Sequence, residues 1–157
     1  MKAFLVGAIT IWIMAILQQV LPDRAAVLGA RPDFLLTATL CLGLLIPAPQ
    51  SIAVGFFTGL FQGAMVGANL AQYIVTRMVS GYVASRVSEL EIEIGPPLAA
   101  LCIAVGTVGA QILMMFLAPP RSLGGFIGDT IETAIYNGVI AMPLFAVLKP
   151  LLKKERN

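Results

Sequence analysis

The residues of this chain that could do chemistry are a few polar side chains within long apolar segments. If those segments are membrane-crossing helices that rise about 1.5 Å per residue, Arg77, Gln111 and Glu132 lie at a similar depth from one membrane surface. Polar side chains are costly in hydrocarbon and mark either internal pairing or function. We therefore predict an intramembrane polar cluster of these three residues with Gln62 and Gln72. It is either a buried ion pair that fixes the helix register or the lining of a polar ligand pocket.

Other chemistry has little support in the sequence. The chain has no histidine, which is the commonest general base and metal ligand. Cys41 and Cys102 lie in separate apolar segments without the paired spacing of a zinc site or a disulfide framework. No glycine-rich phosphate-binding loop occurs. We predict no catalytic residues, no metal, no cofactor and no nucleic-acid partner.

Composition assigns the chain to the membrane. Of its 157 residues 59% are hydrophobic and 11% are charged, and the mean hydropathy is +0.93. Soluble domains have about 45–50% apolar and about 25% charged residues. The sequence therefore predicts an all-α polytopic membrane protein that forms a single integral membrane domain over residues 1–157.

The lengths of the apolar segments predict six membrane-crossing helices, because one crossing takes about 20 residues. Proline-containing breaks separate most of them, and a turn near Gly67, Ala68 and Asn69 must separate the third from the fourth. The second segment is short, so it either thins the bilayer or is shielded by its neighbours. The predicted segments are 3–21, 33–46, 51–70, 71–85, 98–118 and 126–148.

Basic residues predict the orientation, since Lys and Arg are enriched in cytoplasmic loops. An even number of crossings places both termini on one side. Six basic residues fall on the terminal side, namely Lys2, Arg86, Lys149, Lys153, Lys154 and Arg156. Three fall on the opposite side, namely Arg24, Arg31 and Arg121. We therefore expect both termini in the cytoplasm, with the alternating acidic segment Glu89–Ile94 in a cytoplasmic loop.

Glycine recurs at every fourth position of the third segment, at Gly55, Gly59, Gly63 and Gly67. Such a stripe leaves one face of a helix without side chains, so another backbone can approach it closely. The face either packs against a helix of the same chain or receives a helix of a partner. A second local motif, Arg31-Pro32-Asp33, predicts a helix start, because an aspartate caps the first backbone N–H groups.

Several short motifs follow one another along nearly the whole chain. They are Arg31-Pro32-Asp33-Phe34-Leu35-Leu36, Gly55-Phe56-Phe57-Thr58-Gly59-Leu60, Gly67, Gly81-Tyr82 and Thr133-Ala134-Ile135-Tyr136-Asn137-Gly138. Their order, their spacing and the chain length resemble the rod shape-determining protein MreD family. One position departs from the family pattern, because Gln62 stands where the family usually carries an acid.

The resemblance implies a non-enzymatic scaffold of the bacterial cell-elongation complex in the cytoplasmic membrane. Its implied partners are the single-span protein MreC, the MreB filament, RodA, a penicillin-binding transpeptidase and membrane lipids. The glycine face, or lipid-facing surfaces near it, would receive the MreC-like helix. The family also resembles the substrate-binding components of energy-coupling-factor transporters, so the alternative is a vitamin-like small-molecule binder with Arg77, Gln111 and Glu132 in its pocket. An intramembrane enzyme is the least favoured class.

Overall fold

The computed structural model of the protein describes residues 2–21, 31–90, 92–120 and 122–152. Within these ranges the chain forms six α-helices and no strand, so the prediction of an all-α protein is confirmed. The helices are α1 (Lys2–Val20), α2 (Phe34–Gly43), α3 (Ala48–Val66), α4 (Leu70–Ser88), α5 (Pro96–Leu117) and α6 (Leu123–Leu152). Some residues used for the predicted orientation and loop lie outside the described residues, namely Arg24, Glu91, Arg121, Lys153, Lys154 and Arg156.

Proline explains the earlier starts of α3 and α5 relative to the prediction. Helix α3 begins at Ala48 and α5 at Pro96, so the prolines expected to precede these helices lie in their first turns. The first turn does not use the backbone N–H group that proline lacks. Helix α6 runs past its expected end at Leu148 to Leu152 and contains Pro143 and Pro150 within it. The Lys149 ammonium donates to the Ile94 carbonyl at 2.9 Å, which ties this end of α6 to the segment before α5.

Helix α2 lies at the centre of the bundle. All ten of its residues are buried, and it contacts each of the other five helices. At about 1.5 Å per residue it is about 15 Å long, which is too short to cross the hydrocarbon of a bilayer alone. Shielding by its neighbours is therefore how this short apolar segment is accommodated.

The long helices pair as two antiparallel hairpins, α3 with α4 and α5 with α6. The α3–α4 turn lies at the predicted place and uses two left-handed residues, Gly67 with φ +70° and Asn69 with φ +56°. Glycine and asparagine tolerate this conformation better than other residues. The α5–α6 hairpin is tight at Gly138, where an added Cβ would lie 3.1 Å from the Ala100 carbonyl oxygen.

Buried hydroxyl groups also join the helices around α2. The hydroxyls of Thr39 and Thr58 lie 2.6 Å apart and link α2 to α3, and Ser51 donates to the Gly81 carbonyl at 2.7 Å to link α3 to α4. Thr39 and Thr58 are also bonded to carbonyls of their own helices. Because apolar surroundings offer no water as a partner, each buried hydroxyl must form its hydrogen bonds inside the bundle.

The outer surface of the bundle is apolar. Of the described helices, α5, α6 and residues Ala3–Val20 of α1 are long and apolar enough to cross a membrane. Their outward faces carry large apolar side chains, for example Trp12, Val105 and Ile135, each about three-fifths exposed. Such a surface is typical of a protein whose solvent is lipid. That α2, α3 and α4 also lie within the membrane stays a prediction.

Candidate functional site

The start of α2 is the most heavily bonded polar point that the structure describes. Asp33 is the N-cap of α2, and its Oδ1 accepts from the Leu36 N–H at 2.9 Å. The Asp33 carbonyl accepts from the Thr37 hydroxyl at 2.9 Å. This is the cap expected for the Arg31-Pro32-Asp33 motif, since an N-cap carboxylate satisfies N–H groups that have no partner within the helix.

Arg77 of α4 forms an ion pair with Asp33. Arg77 Nη2 lies 2.6 Å from Asp33 Oδ2, and the two side chains are 3% and 16% exposed. The expected pairing of Arg77 with Glu132 is therefore wrong. The Asp33 carboxylate serves both contacts at once, since one oxygen caps α2 and the other pairs with Arg77. Among the described residues, Arg77 Nε and Nη1 have no hydrogen-bond partner, so Asp33 alone offsets a nearly buried charge.

Three further helices converge on the same point through neutral side chains. Gln18 of α1 accepts from the Phe34 N–H at 2.7 Å, and Asn137 of α6 accepts from the Asp33 N–H at 3.0 Å. The Asn137 amide donates to the Thr107 hydroxyl of α5 at 3.1 Å. We call Gln18, Asp33, Arg77, Thr107 and Asn137 the Asp33 network. It holds α1, α4, α5 and α6 to the N-terminus of the central helix.

The other members of the predicted cluster are not part of this network. Gln111, Glu132 and Gln72 are half-buried, and no hydrogen bond or ion pair joins them to Arg77 in the described part of the chain. Gln62 is also half-buried, and its Oε1 is a buried atom without a partner among the described residues. A similar estimated depth in the membrane therefore did not bring these side chains into contact. Depth does not determine the direction in which a side chain points around its helix axis.

Asn137 and Thr107 are not among the residues that the sequence predicts for the polar cluster. Asn137 was noted only as part of the motif around Tyr136, although a fully buried amide within a long apolar helix is costly unless it is hydrogen-bonded. The signal that could have found it is therefore its own polarity in the middle of α6. Thr107 gave no such signal, because a threonine can bond its own helix.

The glycine face of α3 is occupied by α4. An added Cβ at Gly59 would lie 2.5 Å from Ile74 Cα, one at Gly55 would overlap the Arg77 carbonyl, and one at Gly63 would lie 2.6 Å from the Leu70 side chain. Gly67 serves instead as the left-handed end of α3. Of the two alternatives for this face, the structure has internal packing, so a partner helix has no access to it.

In the described part of the chain, no group of three or more His, Cys, Asp and Glu side chains is arranged to hold a metal ion. The Asp33 carboxylate is committed to Arg77 and to the α2 cap. The arrangement is suited to fixing the positions of the helices.

A family model described as rod shape-determining protein MreD matches residues 1–155, which is essentially the whole chain. The chain belongs to the MreD family. No curated protein and no solved structure matches it. The expected likeness to energy-coupling-factor binding components therefore stays a prediction.

Membership of the MreD family assigns this protein a role in the determination of rod shape. MreD proteins are membrane proteins of the rod-shape complex, and the family is a structural one rather than a known enzyme family. In this MreD protein the motifs that carried the resemblance have structural positions. Asp33 and Asn137 meet in the Asp33 network, and Gly55 and Gly59 lie in the α3–α4 contact.

The Asn137 amide is expected to matter more for stability than the hydroxyl that it contacts. Asn137→Ala removes the partners of the Asp33 N–H and of Thr107 at once, which should lower the free energy of unfolding by about 1–3 kcal/mol. Thr107→Val is the matched control, because it keeps the shape and loses one bond, with an expected cost of about 0.5–1.5 kcal/mol. Unfolding of both variants by a denaturing detergent measures the difference. Equal losses would show that Asn137 does not bridge two groups.

Proposed function

We propose that this MreD protein is a non-enzymatic membrane scaffold that crosses the cytoplasmic membrane six times. Its central step would be to bind a single-span protein of the MreC type. Through that partner it would help to connect MreB filaments with RodA and a penicillin-binding transpeptidase, and so to control peptidoglycan synthesis. The observation that carries the proposal is the family match over residues 1–155, on a helical bundle whose outer surface is apolar.

The fold supports six crossings despite the short α2 and the charge on α4. All of α2 is covered by protein, so a helix shorter than the hydrocarbon thickness is not exposed to lipid. The Arg77 charge is offset by Asp33 inside the bundle, where an intramembrane charge is tolerated when it is paired. With an even number of crossings, the excess of basic residues on the terminal side favours both termini in the cytoplasm.

The small-molecule alternative finds less support. Two grooves of about 560 and 440 Å³ open on the bundle, and apolar side chains line nearly all of both. Neither groove is lined by Arg77, Gln111 or Glu132, the residues expected to bind a polar ligand. The polar contacts of the Asp33 network connect helices to one another, which is typical of a structural core.

Co-purification from native membranes tests the proposed partner. The tagged chain, extracted with a mild detergent at native expression level, should bring an MreC-like single-span protein with it in near-stoichiometric amount. A tagged membrane protein of similar size and unrelated family is the control for carry-over in shared micelles. Recovery of the tagged chain without an MreC-like protein, under conditions in which both are extracted, would contradict the proposal.

A further inference from the structure

Glu132 is a carboxylate on the apolar helix α6 that has no partner in the described part of the chain. It is half-buried, and no hydrogen bond or ion pair with another described residue involves it. The Arg31 carbonyl accepts from the neighbouring Thr133 hydroxyl at 3.4 Å, yet no ion pair joins Arg31 to Glu132. Arg77 is paired with Asp33 instead. The described chain therefore provides no countercharge for Glu132.

The position of Glu132 along α6 places it within the hydrocarbon if this helix crosses the membrane. Helix α6 is long and apolar enough to do so, and Lys149 near its end marks one boundary, where basic side chains extend to the membrane surface. The hydrocarbon takes about 20 helical residues, so the opposite boundary lies near the exposed Asp129. We call this the outer boundary. Glu132 lies about one helical turn inside it.

Glu132 shares its side of α6 with small and apolar residues. Gly128, Ile131, Ile135 and Val139 follow one another at intervals of three or four residues, which places them with Glu132 on one face. The three apolar side chains are 54% to 62% exposed, and a Cβ added at Gly128 would meet no atom within 4 Å. We call these five residues the Glu132 face. No described helix covers its apolar side chains.

The carboxyl group distinguishes among possible occupants of the Glu132 face. In hydrocarbon a carboxyl group needs a hydrogen-bond partner in either protonation state, and acyl chains offer none. A lipid ammonium group stays at the outer boundary, about one helical turn from Glu132. A second copy related by a two-fold axis would bring the same face, and so two Glu132 side chains, together. The face is therefore better matched by a helix that carries a cation.

We propose that the Glu132 face binds the single transmembrane helix of a partner that carries a Lys or Arg about one turn inside the outer boundary. This inference rests on the proposed function and assigns its binding surface. The cation pairs with Glu132, and the pair removes the cost that either charge has alone in hydrocarbon. Gly128 allows the helices to approach closely, and Ile131, Ile135 and Val139 supply the packing that drives helix association in lipid.

Glu132→Leu separates binding from folding. Because Glu132 has no partner among the described residues, the melting temperature of the purified variant should not fall. Recovery of the MreC-like partner from native membranes should fall about tenfold or more, as for loss of one member of a buried interfacial charge pair. Asp129→Asn is the matched control. This exposed carboxylate lies at the boundary, so its loss should leave recovery nearly unchanged.

Charge reversal identifies the partner residue. Glu132→Lys should lower recovery, and exchange of the Lys or Arg in the outer half of the partner's transmembrane helix for Glu should restore it. A recovered partner whose transmembrane helix carries neither Lys nor Arg in that half contradicts the inference.

Bulky side chains test the same face without changing its charge. Gly128→Leu and Ile135→Trp should each lower recovery, because both positions are exposed and lie beside Glu132. Gly109→Leu is the matched control, since it adds the same side chain to an exposed position of α5 where a Cβ meets no atom within 4 Å. It should leave recovery unchanged. Melting temperatures of the purified variants identify any that have lost their fold.

The outcomes separate this inference from the proposed function. Partner retained by Glu132→Leu and Ile135→Trp overturns the assignment of the face and leaves the scaffold proposal standing. No partner recovered with the unmodified chain overturns both. A clearly lower melting temperature of Glu132→Leu shows that Glu132 stabilises the chain itself, which contradicts the inference. Release of phospholipid or dissociation of a homo-oligomer by Glu132→Leu, with the partner retained, assigns the face to lipid or to a second copy instead.

Discussion

Asp33→Ala is expected to lower the free energy of unfolding by about 3–5 kcal/mol, the usual cost of removing one member of a buried ion pair. The loss has two physical causes. The Arg77 side chain, 3% exposed, is left without a countercharge, and α2 loses the cap on the Leu36 N–H. Unfolding by a denaturing detergent, followed by helix content, measures it, and the variant should also accumulate poorly in the membrane.

Two further variants separate these causes. Asp33→Asn keeps an oxygen for the cap but no charge, so it should be destabilised nearly as much as Asp33→Ala if the ion pair dominates. Arg77→Met removes the buried charge, and the Asp33→Asn/Arg77→Met double variant should cost clearly less than the sum of the two single variants. Simple additivity of the two changes would show that Asp33 and Arg77 are not coupled.

Gly59→Ala and Gly55→Ala are expected to be the most damaging single-methyl changes on α3, and Gly59 is the simpler test because its α4 neighbours carry no charge. The added Cβ would lie 2.5 Å from Ile74 Cα and 2.7 Å from the Tyr73 carbonyl oxygen, and a backbone cannot rotate away as a side chain can. Separation of α3 from α4 should cost about 1–3 kcal/mol or more. The larger Gly59→Leu should prevent the hairpin from closing, which would be seen as loss of the folded protein rather than loss of a partner.

Gly109→Ala is the matched control, since an alanine there touches nothing and replaces a poor helix former. It should raise the free energy of unfolding by about 0.5–1 kcal/mol. Opposite signs for the two Gly→Ala changes, measured by thermal unfolding in one detergent, would support the close α3–α4 contact. A neutral Gly59→Ala would contradict it.

Much of the helical architecture was predictable because it depends on local features. Apolar length and proline breaks predicted six helical segments, and Gly67 and Asn69 predicted the α3–α4 turn. The helix ends were less accurate, since a proline reads as a break in the sequence but is accommodated in a first turn, as at Pro49 and Pro96. These are properties of a few neighbouring residues.

The contacts between helices were harder to predict because they depend on rotation about each helix axis. The sequence identifies Arg77 as a buried charge that needs a partner, but similar depth favours Glu132, and Asp33 is predicted only to cap α2. In the structure Asp33 is the partner. The glycine stripe predicted a close helix contact without saying which helix makes it. One aspartate that both caps α2 and neutralises α4 links two features that the sequence presents separately.

The most direct test of the account is restoration of cell shape. The unmodified chain, expressed at native level in rod-shaped cells of its source that lack their own copy, should return rounded cells to rods, as measured by the ratio of cell length to width. Gly109→Leu should do the same, and Gly59→Leu should not. If cells stay round although the unmodified chain is present, folded and in the membrane, the assignment of this protein as a rod-shape scaffold is contradicted.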